Sequence, residues 1–243
     1  MKVFVVIPAA GLGTRMSAAA AGLKNKSKQF FDLQGTPILI HTLRKFDACE
    51  PVGEVIVALR ANETAGFSSL IAGEHFRKPI RAVEGGEHRQ DSVANALRSI
   101  SAVPDDIVLI HDAVRPFVDQ ETIVGVIEGV KKYGAAIAGI PAIDTVKQVE
   151  RTADGAVVVA TVPRERMVMA QTPQGFRFDL LKSAFDEAQA DGFLGTDEAS
   201  LIERGGGTVH VVMGSPRNIK LTTPADLEIA ELYVSQNKPN KRA

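Results

Sequence analysis

Near its start the chain reads Val3-Phe4-Val5-Val6-Ile7-Pro8-Ala9-Ala10-Gly11-Leu12-Gly13-Thr14-Arg15. The apolar run is typical of a strand covered on both faces, as in a parallel sheet. The small residues that follow let backbone N–H groups approach a ligand closely. Arg15 adds a positive charge beside those donors, so the junction predicts a nucleoside triphosphate site. On this segment alone, an ordinary tight turn between a strand and a helix remains the alternative.

Two common phosphate-binding loops do not match this junction. A Walker A loop ends in Gly-Lys followed by Ser or Thr, whereas Thr14-Arg15-Met16 follows Gly13 here. A dinucleotide-binding fingerprint would place a third glycine at position 16, which is Met16. The site is therefore expected to belong to another class of nucleotide-binding protein.

Composition narrows the class of protein further. The length of 243 residues with 45% hydrophobic content fits one α/β domain over 1–243. A net charge of −1 gives no general attraction to nucleic acid or to an anionic membrane, so phosphate binding must depend on a few placed cations. The single cysteine, Cys49, reads as small core filler on a helix face and fits a reducing cytoplasm. No apolar run reaches the length of a membrane span.

Strand and helix patterns alternate along the chain. The predicted strands are Val3–Ile7, Glu54–Leu59, Ile80–Val83, Ile107–Ile110, Ala135–Ile140 and Thr208–Met213. The predicted helices are Ser92–Ile100, Asp119 to Gly134, Phe178–Asp191 and a last one that begins near Thr223. This alternation predicts an α/β fold with a mostly parallel twisted sheet flanked by helices.

The segment 141–169 breaks the alternation. Two β-type runs, Thr145–Glu150 and Ala156–Val162, flank the turn signal Thr152-Ala153-Asp154-Gly155. This pattern predicts a β-hairpin. The pattern alone does not decide whether the hairpin projects as an arm or lies flat on its own domain.

The predicted buried strand Ile107–Ile110 is followed directly by polar and charged residues, among them His111, Asp112 and Arg115. Ligands in open α/β sheets bind beyond the carboxyl ends of the strands. Asp112 could hold Mg²⁺ or a water beside a triphosphate, or it could simply cap a helix. His111 is interpreted as a packed, hydrogen-bonded side chain.

Two further segments are candidates for ligand contact. Gly85-Gly86 frees the backbone to approach a ligand, and Ser92 follows at a predicted helix start. A plain glycine turn with a helix cap is the alternative. Lys220 lies between apolar neighbours after the last strand and could meet a phosphate, although a solvated lysine is the default.

Taken together, these motifs resemble one family. In order they are Ala9-Ala10-Gly11-x-Gly13-x-Arg15-Met16, Lys28-Gln29, Gly85-Gly86, Arg89, Asp91-Ser92-Val93, His111-Asp112-Ala113-x-Arg115-Pro116, Asp144-Thr145, Val162-x-Arg164, Thr172-Pro173-Gln174, Thr196-Asp197-Glu198-Ala199 and Asn218-Ile219-Lys220-x-Thr222. The whole chain resembles the 2-C-methyl-D-erythritol 4-phosphate cytidylyltransferases of the non-mevalonate isoprenoid pathway. The resemblance implies a Rossmann-like nucleotidyltransferase fold and cytidylyl transfer from CTP to methylerythritol phosphate, with Mg²⁺ as cofactor.

The resemblance also implies roles for individual residues. Arg15, Lys28, Arg164 and Lys220 would be catalytic, with Arg15 and Lys28 stabilising the transition state and the departing pyrophosphate. The nucleotide would be bound by Ala9, Ala10, Gly11, Gly13, Gly86 and Ser92, largely through backbone groups. The substrate would be bound by Asp112, Arg115, Thr145 and Thr172. Asp112 would also lie near Mg²⁺, which is expected to bind mainly to triphosphate oxygens and water.

The hairpin of 141–169 is implied to be a dimerisation arm. It would cross to a second subunit, so that Thr145 and Arg164 complete the partner's site in a two-fold homodimer. The sequence departs from the family between Arg15 and Lys28, where the loop is longer and a serine replaces a proline. Lys24 and Lys26 therefore compete with Lys28 for the catalytic role, and the adjacent Gln29 favours Lys28.

Three other functions remain open at this stage. A sister cytidylyltransferase acting on ribitol 5-phosphate would share the CTP half of the site. A sugar-1-phosphate nucleotidyltransferase would use UTP or GTP. A non-catalytic nucleotide-binding protein would not need cations on both sides of an α-phosphorus. The joint presence of Arg15, Lys28, Asp112 and Lys220 argues against it.

Overall fold

The computed structural model describes residues 1–11 and 27–236. The predicted catalytic residue Arg15, the predicted nucleotide contact Gly13 and the competing Lys24 and Lys26 lie outside the described residues.

The centre of the fold is a seven-stranded sheet. Its strands are β1 (Val3–Pro8), β4 (Glu54–Leu59), β5 (Ile80–Glu84), β6 (Ile107–Ile110), β7 (Ala135–Pro141), β10 (Val168–Arg177) and β11 (His210–Met213). They lie in the order β11-β7-β10-β6-β1-β4-β5. Two short strands, β2 (Asp32–Leu33) and β3 (Thr36–Pro37), form a separate pair. The prediction of a mostly parallel α/β sheet is confirmed.

The strand β10 was not predicted as part of the sheet. It runs antiparallel to both of its neighbours, β6 and β7. Its polar residues Gln171, Thr172 and Gln174 are buried, so it lacks the apolar run by which the other strands are recognised. The polar groups of these three side chains are satisfied by hydrogen bonds to other parts of the chain.

Helices cover both faces of the sheet. Within the described ranges they are α1 (Ile38–Asp47), α2 (Thr64–Ala72), α3 (Arg89–Ser99), α4 (Gln120–Tyr133), α5 (Phe178–Ala190), α6 (Glu198–Arg204) and α7 (Pro224–Gln236). Alternate residues of β1 serve the two faces: Val5 packs in the layer with α1, α2 and α4, and Val6 packs in the layer with α3, α5 and α6. Each layer buries apolar surface, which is the main term that favours folding.

Helix boundaries follow local capping chemistry. Asp119 accepts a hydrogen bond from the Thr122 N–H at 2.8 Å, and Gly134, with a φ of 85°, ends α4. The helix predicted from Ser92 begins three residues earlier, at Arg89, and Asp91 accepts a hydrogen bond from the His88 N–H at 3.0 Å. Cys49 is buried as expected, but it lies in the turn after α1 rather than on a helix face.

The predicted hairpin consists of β8 (Val146–Thr152) and β9 (Gly155–Val162), which pair with each other and with no strand of the central sheet. Its residues are mostly exposed, including Val149, Val157, Val158 and Val159. The hairpin therefore projects from the sheet.

Candidate active site

The candidate site lies where parallel strands end at one edge of the sheet. The carboxyl ends of β1, β4, β5 and β6 are neighbours there because these strands are paired side by side and in parallel. This is the usual location of ligands in open α/β sheets.

Two glycines let the loop after β5 pack closely, Gly85 against the turn after β1 and Gly86 against the first turn of α3. A Cβ atom at Gly85 would lie 2.5 Å from the Ala10 Cβ atom, and one at Gly86 would lie 2.2 Å from the Asp91 Cβ atom. The Gly86 N–H donates a hydrogen bond of 3.0 Å to the Ser92 hydroxyl, which in turn donates to the His88 carbonyl at 3.1 Å. Ser92 thus holds the loop from within the first turn of α3.

A first pocket opens between these two loops. Its lining includes the predicted nucleotide contacts Ala9, Ala10, Gly11, Gly86 and Ser92, together with the predicted catalytic Lys28. The structure therefore brings every described residue predicted to bind the nucleotide, and two predicted catalytic residues, Lys28 and Lys220, to a single pocket.

A second pocket adjoins the first. It is lined by Arg115 and Thr172, both predicted to bind substrate, and by side chains of β10 and of the turn before α6. The two linings share three residues: Arg89, Asp112 and Lys220. Groups bound in the two pockets would meet at these three side chains.

The Asp112 carboxylate is the centre of a cluster of charges. Its Oδ2 atom lies 3.0 Å from Lys220 Nζ and 3.1 Å from Arg115 Nε, and its Oδ1 atom lies 3.6 Å from Arg89 Nε. Burial alone would raise the pKa of the Asp112 carboxyl, but the three surrounding cations outweigh burial and hold that pKa well below its usual range. Asp112 is therefore a fixed negative charge.

Arg89 connects this cluster to a second buried carboxylate. Its Nη1 atom donates to both carboxylate oxygens of Glu198, at 2.6 and 2.8 Å. Burial opposes the charge of Arg89, but the pairing with Glu198 and Asp112 raises its pKa overall. Arg89 and Glu198 were quoted in the sequence motifs but not assigned to the site. Glu198 follows Asp197 at a helix start, where acidic residues are expected for helix stability alone.

A bulge in β10 brings Thr172 to Asp112. The pairing of β10 with β7 shifts between Ala170 and Gln174, which releases the intervening residues from the ladder. The Thr172 hydroxyl accepts a hydrogen bond of 3.1 Å from the Asp112 N–H and lies 3.0 Å from His111 Nδ1. Bulges are common next to functional sites because they redirect side chains.

His111 is a structural residue, as the sequence predicted. It is fully buried, and its Nε2 atom lies 3.1 Å from the Arg115 carbonyl oxygen, which can only accept. We therefore assign the proton to Nε2, and Nδ1 accepts from the Thr172 hydroxyl. Burial lowers the pKa of His111 to about 4.

Hydrogen bonds anchor the loop that carries Lys220 to the region around Asp112 and Thr172. Arg115 donates from Nη1 to the Asn218 carbonyl at 2.7 Å, and Asn218 donates from Nδ2 to the Thr172 carbonyl at 2.8 Å. Asn218 is fully buried, so Lys220 projects from a well-anchored segment.

Two predicted site residues lie outside both pockets. Thr145 and Arg164 are exposed, and the Arg164 guanidinium donates to the Ile143 carbonyl at 2.8 Å within the hairpin segment. The described residues of one chain do not bring these two side chains to Asp112.

The site is a poor fit for a metal held by protein side chains. Both oxygens of Asp112 already face cations, so a divalent ion there would have to displace Lys220 or an arginine. Across residues 1–11 and 27–236, no group of three or more His, Cys, Asp and Glu side chains is arranged to hold a metal ion. No helix in the same ranges is long and apolar enough to cross a membrane.

Comparisons with known proteins agree with this geometry. An IspD family model, described as 2-C-methyl-D-erythritol 4-phosphate cytidylyltransferase, matches residues 3–236. A relative of that name from Acidobacterium capsulatum is 55% identical, with coverage of 97% of this chain and 98% of the relative. Another from Solibacter usitatus is 52% identical, with coverage of 97% of each chain.

Solved structures give the same result. The Francisella tularensis 2-C-methyl-D-erythritol 4-phosphate cytidylyltransferase is 36% identical and superposes with a TM-score of 0.78, covering 96% of this chain and 99% of that one. The 4-diphosphocytidyl-2C-methyl-D-erythritol synthase of Anaerococcus prevotii is 28% identical, with a TM-score of 0.80 and 96% coverage of each chain.

Proposed function

Because this chain belongs to the 2-C-methyl-D-erythritol 4-phosphate cytidylyltransferase family, we propose that it transfers the cytidylyl group of CTP to 2-C-methyl-D-erythritol 4-phosphate, a step of isoprenoid precursor biosynthesis. One observation in particular supports this: two pockets share a wall made of Arg89, Asp112 and Lys220. A nucleotide in one pocket and a phosphorylated alcohol in the other would place their reacting groups at that wall.

The reaction needs charge compensation more than proton transfer. A phosphate oxygen of the substrate attacks the α-phosphorus, and the bond from that phosphorus to the bridging oxygen breaks to release pyrophosphate. The attacking phosphate has low basicity, so no general base is required. The barrier comes from repulsion between two anions, which preorganised cations and fixed positions reduce.

On the nucleotide side, backbone groups of Ala9, Ala10, Gly11 and Gly86 would bind cytosine and ribose, with Ser92 holding the Gly86 loop. Gly13 is assigned to nucleotide binding by family resemblance alone. Lys28 lines the first pocket, and we propose that it acts with Arg15 on the triphosphate and on the departing pyrophosphate.

On the substrate side, Lys220 would neutralise the attacking phosphate from its place at the shared wall. Asp112, Arg115 and Thr172 would hold the substrate, with Asp112 accepting hydrogen bonds from its hydroxyl groups. The burial of Asp112 and its fixed charge support this role.

We propose that the protein is a homodimer in which the hairpin arm of each chain completes the other's site. The exposure of Thr145 and Arg164 and their separation from both pockets support this arrangement. The exposed valines Val157 and Val158, each 56% accessible, would be covered by the partner.

We further propose that Mg²⁺ enters bound to the triphosphate oxygens of CTP, where it would offset their charge, because the surroundings of Asp112 suit it poorly as a direct ligand. The single buried Cys49 supports the proposal of a cytoplasmic location.

The first test is pyrophosphate release with CTP and Mg²⁺, comparing 2-C-methyl-D-erythritol 4-phosphate with ribitol 5-phosphate. We expect turnover with the first substrate and at most trace turnover with the second. Turnover only with ribitol 5-phosphate would retain the CTP site and overturn the substrate-side assignments. UTP and GTP in place of CTP test the choice of base.

A further inference from the structure

The turn after β1 is held from outside the first pocket by a residue that no motif includes. Arg60 follows β4 directly, and its Nε atom donates to the Ala10 carbonyl oxygen at 2.8 Å. Arg60 is not part of the lining of the first pocket, whereas Ala10 and Gly11 are. The guanidinium therefore lies behind the turn.

A second side chain acts on the preceding peptide unit. The Gln29 amide donates from Nε2 to the Ala9 carbonyl oxygen, and Gln29 is buried. The Ala9 and Ala10 carbonyls are thus each bound by a side chain from a different segment.

Because a peptide unit is planar, the contacts to these two carbonyls fix the direction in which the Ala10 and Gly11 N–H groups point. The only cis peptide among the described residues is Thr172–Pro173, so both peptide units of the turn are trans. In a trans unit the carbonyl and the following N–H point to opposite sides. With the Ala10 carbonyl held by Arg60, the Gly11 N–H points away from Arg60, and Gln29 acts likewise on the Ala10 N–H.

Part of the half-buried Arg60 guanidinium is buried at a cost in free energy. Its Nη2 atom is buried and, within the described part of the chain, has no hydrogen-bond partner. Burial of an incompletely bonded polar group costs free energy. A guanidinium in this place is therefore explained better by its hold on Ala10 than by a gain in stability.

We propose that Arg60 and Gln29 are positioning residues that direct the Gly11 and Ala10 N–H groups into the first pocket as donors to the nucleotide. This inference rests on the proposed use of CTP and adds two residues that hold the nucleotide-binding turn, Arg60 from outside the first pocket and Gln29 from within its lining. Removal of either side chain would let its peptide unit rotate, and the corresponding donor would be lost.

The test is CTP affinity measured by calorimetry with Mg²⁺ present, for wild type, Arg60→Met, Arg60→Lys and Gln29→Met. Arg44→Met is the matched control, because Arg44 pairs with Glu74 outside both pocket linings. We expect Arg60→Met and Gln29→Met each to weaken CTP binding about tenfold, the effect of one lost hydrogen bond to a ligand. Arg60→Lys retains a donor and should recover much of the loss, and Arg44→Met should bind as wild type does.

Steady-state kinetics separate positioning from a general effect on the fold. We expect KM for methylerythritol phosphate to stay within about twofold of wild type in all variants that unfold at the wild-type temperature. Equal CTP affinity in wild type, Arg60→Met and Gln29→Met would overturn the inference while leaving the proposed function intact. Parallel losses for both substrates, unrelieved in Arg60→Lys, would also overturn it. If wild type itself fails to bind CTP, the proposed function fails.

Discussion

Lys220 Nζ lies 3.0 Å from the Oδ2 atom of Asp112, so the lysine proposed to meet the substrate phosphate is held by a buried carboxylate. The pair joins the loop after β11 to the end of β6. Since Asp112 also faces two arginines, it orders three cations that would otherwise repel one another.

The first prediction concerns Asp112→Asn. Removal of this charge leaves three cations without their common partner, so we expect a loss of about 3 kcal/mol in the free energy of unfolding at pH 7. The pKa of Asp112 is lower in the folded protein than in the unfolded chain. The greater free energy of unfolding of wild type over Asp112→Asn is therefore present above the unfolded pKa and is lost as pH falls through the folded pKa. Urea unfolding should therefore give a constant difference from pH 8 to 5 that narrows in strong acid. Equal stability of the two proteins at pH 7 would contradict this account.

The second prediction concerns His111. Its folded pKa of about 4 lies below the ordinary 6.5, so the unfolded chain takes up a proton first as pH falls. Wild-type stability should decrease by up to about 3 kcal/mol between pH 6.5 and 4. His111→Gln removes this proton uptake, and its stability should depend less on pH over the same interval. An unchanged slope in the variant would show that other groups cause the loss.

The third prediction concerns the buried pair Arg89–Glu198. We expect Glu198→Leu alone to cost about 3 kcal/mol, because the half-buried Arg89 guanidinium then loses its bidentate partner and keeps only the more distant Asp112 carboxylate at 3.6 Å. In the double variant Arg89→Met, Glu198→Leu, much of this cost should disappear, as is common when both charges of a buried pair are replaced. A double-mutant cycle of unfolding free energies measures the coupling. Additive costs would mean that the two residues do not stabilise each other.

The fourth prediction tests the arm. Arg15→Ala and Arg164→Ala should each remove most activity, since loss of a preorganised donor typically costs about 10²–10³ in rate. If the arm crosses to a partner, random reassembly of the two variants should restore about a quarter of the sites, one in each mixed dimer. Each variant reassembled with itself is the control. A mixture as inactive as its parents would mean that each site is built within one chain.

Some parts of this molecule were predictable from the sequence because their pattern is local. The strand β6 and the capped helix α4 follow from apolar runs, from Asp119 and from Gly134. In contrast, β10 is recognisable only through its partners, since its buried polar residues are satisfied by groups distant in the sequence. For example, Gln174 donates to Asp197 at 2.7 Å.

The candidate site likewise contains residues that could be predicted from the sequence and residues that could not. Asp112 could be inferred because it follows a buried strand at the edge where ligands bind. Arg60 could not, because an arginine after a strand is usually a solvated surface residue, and its contact with Ala10 depends on how two strands are paired. Arg89 and Glu198 lie in recognisable sequence motifs, but only the fold shows that they pair with each other beside Asp112.

The hairpin leaves the sheet at Pro141 and returns at Val168, and these two residues are paired with each other. The excursion therefore starts and ends at one point, and loop-closure entropy depends only weakly on its length. Residues beyond that point can be exchanged, inserted or deleted without moving the register of the core strands. If the arm supplies substrate contacts, as proposed, substrate preference can evolve separately from the chemistry at Asp112, and hairpins grafted between relatives offer a direct route to altered specificity.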